Sequence, residues 1–145
     1  MGYTVSKVNM WTGTIEDRVG ALAAKLESLA AAGADLEIVV ARRQPHVRGQ
    51  GIVMLGSVSG AKALKAAKQA GLSKATDLVA LRVEGPNKRG ECGRLASLLA
   101  EAGINLRGFA ATAIGNKFAA SLGFDNAADA ARAARLLQAA GGKAK

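Results

Sequence analysis

The same punctuation occurs twice in this chain. Between Val83 and Leu106 an apolar strand end runs into a loop of glycine, proline and asparagine, then a leucine-bearing segment, then a glycine stop. Leu95, Leu98, Leu99 and Ala102 fall at the i, i+3, i+4, i+7 spacing of one helix face. Gly103 follows the last of them. It suits a left-handed C-terminal cap, which only glycine enters without a Cβ penalty. Upstream, Gly20 leads into Ala21-Leu22-Ala23 as Gly93 leads into Arg94-Leu95-Ala96. Ala32-Gly33-Ala34-Asp35-Leu36 likewise answers Ala102-Gly103-Ile104-Asn105-Leu106. An internal duplication restricts the chain to two copies of one unit, each small enough to fit half of 145 residues.

Each half reads strand, helix, strand, strand, helix, strand. In the first half, Thr4–Trp11 is a strand with Val8 and Met10 toward the helices and Trp11 on the other face. Thr12–Arg18 is a loop, with Thr14 or Asp17 as helix cap. A strand over Asp35–Arg43, a basic hairpin loop Arg42–Gly51 and a strand over Ile52–Val58 follow. Ser59 caps a helix that Gly71 stops, and Leu72–Ala75 closes the unit. In the second half, strands Leu106–Ile114 and Lys117–Phe124 flank the turn signal Gly115-Asn116, and Phe118, Ala120, Leu122 and Phe124 alternate onto one face. An alanine-rich helix Asn126–Ala139 ends at Gly141-Gly142. This order gives antiparallel sheets with both helices on one face. The expected fold class is α+β, two tandem ferredoxin-like βαββαβ modules over residues 1–76 and 77–145.

The duplicated residues also carry a family resemblance. Asp17-Arg18-Val19-Gly20 resembles the Asp-Arg-Pro-Gly turn of ACT domains, small regulatory modules attached to many enzymes of amino-acid metabolism. Gly93-Arg94-Leu95-Ala96, its helix and Ala102-Gly103-Ile104-Asn105-Leu106 look more like the family still. Val19 and Cys92 stand where the family usually has proline, and Gly90-Glu91 replaces Asp-Arg. The resemblance implies a non-catalytic regulatory protein that binds an amino acid or similar small metabolite where modules meet. The matching positions are Gly85, Asn87, Gly90, Gly93 and Asn105 in the second copy and Gly13, Asp17, Gly20 and Asp35 in the first. Backbone N–H groups of the loop would take a carboxylate, and Asn105 or Asp35 the ammonium. Lys88 and Arg89 favour the second loop, and Glu16 and Asp17 disfavour the first. A partner enzyme of amino-acid metabolism is implied as well.

Composition narrows the alternatives. One histidine and one cysteine, in different halves, leave no catalytic constellation, no metal site and no disulfide, and no cofactor motif is present. Cys92 is expected to be buried as a small apolar side chain. Aromatics make up 3% of the chain, so each half has a thin core, and dimerisation through sheet or helix pairing is expected. The net charge of +9 and the Arg42–Arg48 loop with His46 raise an anion or nucleic-acid binder as one alternative. The lack of interleaved aromatics argues against nucleic acid. A purely structural module that regulates a partner enzyme by sheet pairing is the other alternative. No signal-like apolar segment and no run near ~20 apolar residues occurs, so a cytoplasmic protein without membrane contact is expected.

Overall fold

The computed structural model describes residues 3–143. The elements run β1 (Thr4–Val8), β2 (Trp11–Glu16), α1 (Ala21–Ala31), β3 (Ile38–Arg43), β4 (Gln50–Gly56), α2 (Ala61–Gln69), β5 (Ser73–Lys74), β6 (Val79–Pro86), α3 (Glu91–Glu101), β7 (Gly108–Ile114), β8 (Lys117–Phe124) and α4 (Ala127–Lys143). Two antiparallel four-stranded sheets result, with orders β3-β4-β2-β5 and β1-β6-β8-β7. The expected α+β class, with two ferredoxin-like modules, is the fold observed.

The division of the chain differs from two contiguous halves. One compact unit, here the central module, is Asn9–Ala75. The other, the flanking module, joins the chain up to Val8 to the chain from Thr76 onward. The stretch read as one strand, Thr4–Trp11, is two strands in different sheets. β1 pairs with β6, Lys7 opposite Leu81, while β2 pairs with β4 and β5. In the central module Trp11 lies opposite Lys74, the place Lys7 holds beside Leu81. β1 thus takes in the flanking sheet the edge place that β5 takes in the central one. It pairs N–H and C=O groups of β6 that an edge would leave bare.

Strand β2 also extends through what looked like a loop, and only residues 17–20 separate it from α1. Its register places Trp11 opposite Leu55, so Trp11 faces the helices and is buried with Leu29, Val53 and Leu55. The outward placement expected for Trp11 is thereby corrected. The two-residue periodicity was right, but it was started in the wrong strand.

Helix ends follow the glycines. In α3, Gly103 has φ 74°, its N–H donates to the Ala100 carbonyl, and the Ile104 N–H donates to the Leu99 carbonyl at 2.9 Å. Those two bonds are a Schellman motif, and buried Ile104 and Leu99 supply its apolar contact. The same pair of bonds closes α1 at Gly33 and α2 at Gly71. The helix starts differ from expectation. α1 and α2 begin after Gly20 and Gly60 with no side-chain cap, so Thr14, Asp17 and Ser59 do not cap. α4 continues through Gly141-Gly142 to Lys143.

Each module has one core under its helices. In the flanking module Phe118, Ala120, Leu122 and Phe124 alternate inward as expected and meet Leu95 and Leu99 of α3 and Ala133 and Leu137 of α4. Each fully buried leucine there contributes on the order of 1.5–3 kcal/mol. Cys92 is exposed rather than buried, because it sits on the solvent side of the first turn of α3.

Candidate functional site

The two modules superpose in sequence at an offset of 70, not 73. α1 and α3 have the same length and start after left-handed glycines, Gly20 with φ 88° and Gly90 with φ 85°. Gly90, not Gly93, is therefore the counterpart of Gly20. Gly93 lies inside α3, and a Cβ built on it meets nothing within 4 Å. Asp17 matches Asn87, and Asp35 matches Asn105.

In the central module the chain leaves β2 at Glu16 and turns through residues 17–20. The Asp17 N–H donates to the Gly49 carbonyl at 3.0 Å, and the Ala21 N–H to the Arg18 carbonyl at 3.3 Å. Both acidic side chains beside the turn are held by arginines. Arg43 Nε donates to Asp17 at 2.6 Å, and Arg18 Nε to Glu16 at 2.6 Å. The first turn of α1 holds no acidic residue. Its N–H groups and positive dipole end therefore meet no carboxylate of that helix. Val19, at the tip of the turn, is 99% exposed. Beside the turn lies a cavity of about 410 Å³ lined by Thr14, Ile15, Glu16, Arg18, Ala21, Ala24, Lys25, Gln50 and Gly71. The Lys25 ammonium donates to the Ala70 carbonyl at its wall. Gly13 is a strand residue whose Cβ would stand 2.7 Å from the Gly71 carbonyl oxygen, so its bareness serves packing.

The flanking module carries larger, mutually bonded side chains at the corresponding positions. Asn87 is exposed, and its N–H donates to the Asn116 carbonyl at 2.9 Å. Glu91 stands in the first turn of α3, and the hydroxyl of Tyr3 donates to it. Arg94 Nη1 donates to the same hydroxyl at 2.6 Å, its guanidinium lies 5.3 Å from the ring centre, and Nη2 reaches the Ala140 carbonyl at 3.3 Å. Tyr3 is buried and packs edge-on against Phe118. Its phenol is pushed up to about 12 by burial first, then by the hydrogen bond and charge of Glu91, with Arg94 opposing. Gly85 is a buried strand residue under this pair, not a loop residue. A Cβ on it would lie 2.7 Å from Tyr3 Cδ1 and 2.9 Å from Phe118 Cε1.

Of the residues expected to form the second-copy site, Asn87 and Gly90 share one loop. Asn105 is exposed in the α3–β7 connection, at the far end of an 11-residue helix about 16 Å long. Asp35 stands in the same way beyond α1. A single module does not bring loop and Asx residue together. Tyr3, Lys25 and Arg94 were missed. Tyr3 and Glu91 are 88 positions apart, and nothing local in the sequence marks their contact. Of the expected Arg42–Gly51 hairpin loop, Arg42 and Arg43 belong to β3 and Gln50 and Gly51 to β4; Arg42, Arg43, His46 and Arg48 are exposed, with Arg43 held by Asp17. Among the described residues, no group of three or more His, Cys, Asp or Glu could hold a metal ion, and no helix is long and apolar enough to cross a membrane.

No protein-family model and no curated protein matches the chain. Solved structures do. A protein from Bacteroides thetaiotaomicron is similar over 94% of this chain and 90% of its own, at 17% identity and a TM-score of 0.75. The regulatory subunit of aspartate kinase from Thermus thermophilus, in a ligand-free form, covers 97% of both chains at 17% identity and a TM-score of 0.68. The corresponding subunit from Thermus flavus covers 99% of this chain and 96% of its own, at 16% identity and a TM-score of 0.63. At such identities the likeness is one of fold. The fold shared with them is the pair of ferredoxin-like modules described above.

Proposed function

We propose that this chain is a non-catalytic regulatory protein that binds an amino acid or similar small metabolite. The observation that carries the reading is the end of β2, where a four-residue turn leads into a glycine-started helix with neither side-chain cap nor acidic first turn. Uncommitted N–H groups and a positive dipole end suit a small carboxylate. The fold supports the regulatory part, because solved proteins of this arrangement include subunits described as regulatory. A thermal-denaturation screen against single amino acids tests it. A ligand at one hundred times its dissociation constant raises stability by about 2.7 kcal/mol. Unchanged melting with every amino acid would count against the reading.

A second reading rests on β7. This edge strand is exposed along its whole length, with Phe109 40% and Ile114 64% accessible. A bare apolar edge suits sheet pairing with a partner enzyme or a second copy. Ligand-independent dimerisation abolished by Phe109→Lys, with no response to amino acids, would favour this reading over the first.

A further inference from the structure

The two modules are unequal at one matching place. Residues 70 apart line it: Ala21 and Ala24 in the central module correspond to Glu91 and Arg94 in the flanking one. Two alanines in the central module thus answer a glutamate and an arginine in the flanking one, where Tyr3 packs over Gly85, the counterpart of Ile15. In the flanking module the side chains of Tyr3, Glu91 and Arg94 bond to one another at that place. In the central module the place is a cavity of about 410 Å³, within the range of small-molecule sites.

We propose that this central cavity takes the zwitterionic head of an α-amino acid, and that Tyr3, Glu91 and Arg94 close its counterpart, so that only one of the two modules binds. The inference rests on the reading of the protein as an amino-acid binder and adds which module holds the ligand. The lining has the required polarity. Arg18 and Lys25 supply two cations for a carboxylate, and Glu16, with the Thr14 hydroxyl and the Gln50 amide, supplies acceptors for an ammonium. Glu16 and Arg18 already form an ion pair at 2.6 Å across the rim. A zwitterion inserted between them exchanges that pair for two, which a simple anion or cation cannot do. The ligand side chain faces a wall of Ile15, Ala21 and Ala24.

Proton–nitrogen correlation spectra of the full chain, titrated with each of the twenty L-amino acids, test the assignment. The expected result is a saturable set of shifts at residues 14–25, Gln50 and Gly71, with Gly90–Arg94 unmoved. Ala24→Arg, which places in the central module the side chain found in the flanking one, should weaken binding at least tenfold. Lys25→Gln should weaken it as well, and it decides the matter if the ligand-free Ala24→Arg spectrum shows lost structure. Shifts centred on Asn87–Arg94 or Asn105, with affinity unchanged in both variants, would overturn the assignment and leave the amino-acid reading standing. No shifts with any of the twenty would sink that reading and the inference together.

Discussion

Two alanine substitutions three residues apart should have opposite signs. Gly90 holds φ 85°, a left-handed conformation that costs an L-residue about 1–2 kcal/mol. Alanine also narrows the unfolded ensemble, which returns about 0.4–1 kcal/mol. Gly90→Ala should therefore destabilise by about 0.5–1.5 kcal/mol. Gly93 is an interior position of α3 with space for a methyl group. Gly93→Ala removes the entropic cost of helical glycine and should stabilise by about 0.5–1 kcal/mol. Urea denaturation followed by circular dichroism resolves a gap of that size, provided the slope with denaturant stays constant. The refuting result is a Gly93→Ala variant less stable than Gly90→Ala. It would mean that the helix starts at Gly93 and that the modules match at an offset of 73.

Three further outcomes follow from the same geometry. The chain has one tyrosine, so phenolate absorbance should titrate near pH 12 in the folded protein and near 10 when unfolded. The raised value favours the neutral phenol, so its stabilisation is complete below pH ~10 and is lost as pH rises toward ~12; Glu91→Gln should lower the folded value, and an ordinary titration would contradict the buried cluster. Gly85→Ala should cost about 1–3 kcal/mol, because the Tyr3 and Phe118 rings must move; unchanged stability would show that the contact is loose. Gly103→Val should cost on the order of 1–3 kcal/mol through backbone strain alone, since nothing lies within 4 Å of the added Cβ, and wild-type denaturation would exclude the left-handed cap.

Much of the fold was legible because it is written in local chemistry. Gly33, Gly71 and Gly103 end helices for a reason that needs no tertiary information, and the alternation from Phe118 to Phe124 defines a buried strand face by itself. What was not legible depends on partners far away in sequence. Arg94-Leu95-Ala96 imitates Ala21-Leu22-Ala23 closely enough to shift the apparent repeat by three. Val8 and Met10 stand two apart across the break between β1 and β2 and read as one face, so that break, and with it the orientation of Trp11, appears only when each strand finds its own sheet. The side chains around the two turns also depend on distant partners. Acidic side chains at Glu16 and Asp17 argued against the first loop, but each is neutralised by an arginine. Glycines and cations recommended the second loop, where a buried tyrosine from the other end of the chain has already engaged Glu91 and Arg94.

The unequal modules give the central claim a number. Calorimetric titration of the full chain with the amino acid found by the thermal screen counts ligands per chain. Equal modules would bind two; a central module that binds beside a flanking one closed by Tyr3 binds one. The account predicts a single saturable event with one ligand per chain, weakened in Lys25→Gln and unchanged in Asn105→Ala. Two ligands per chain, or binding lost in Asn105→Ala and kept in Lys25→Gln, would contradict it.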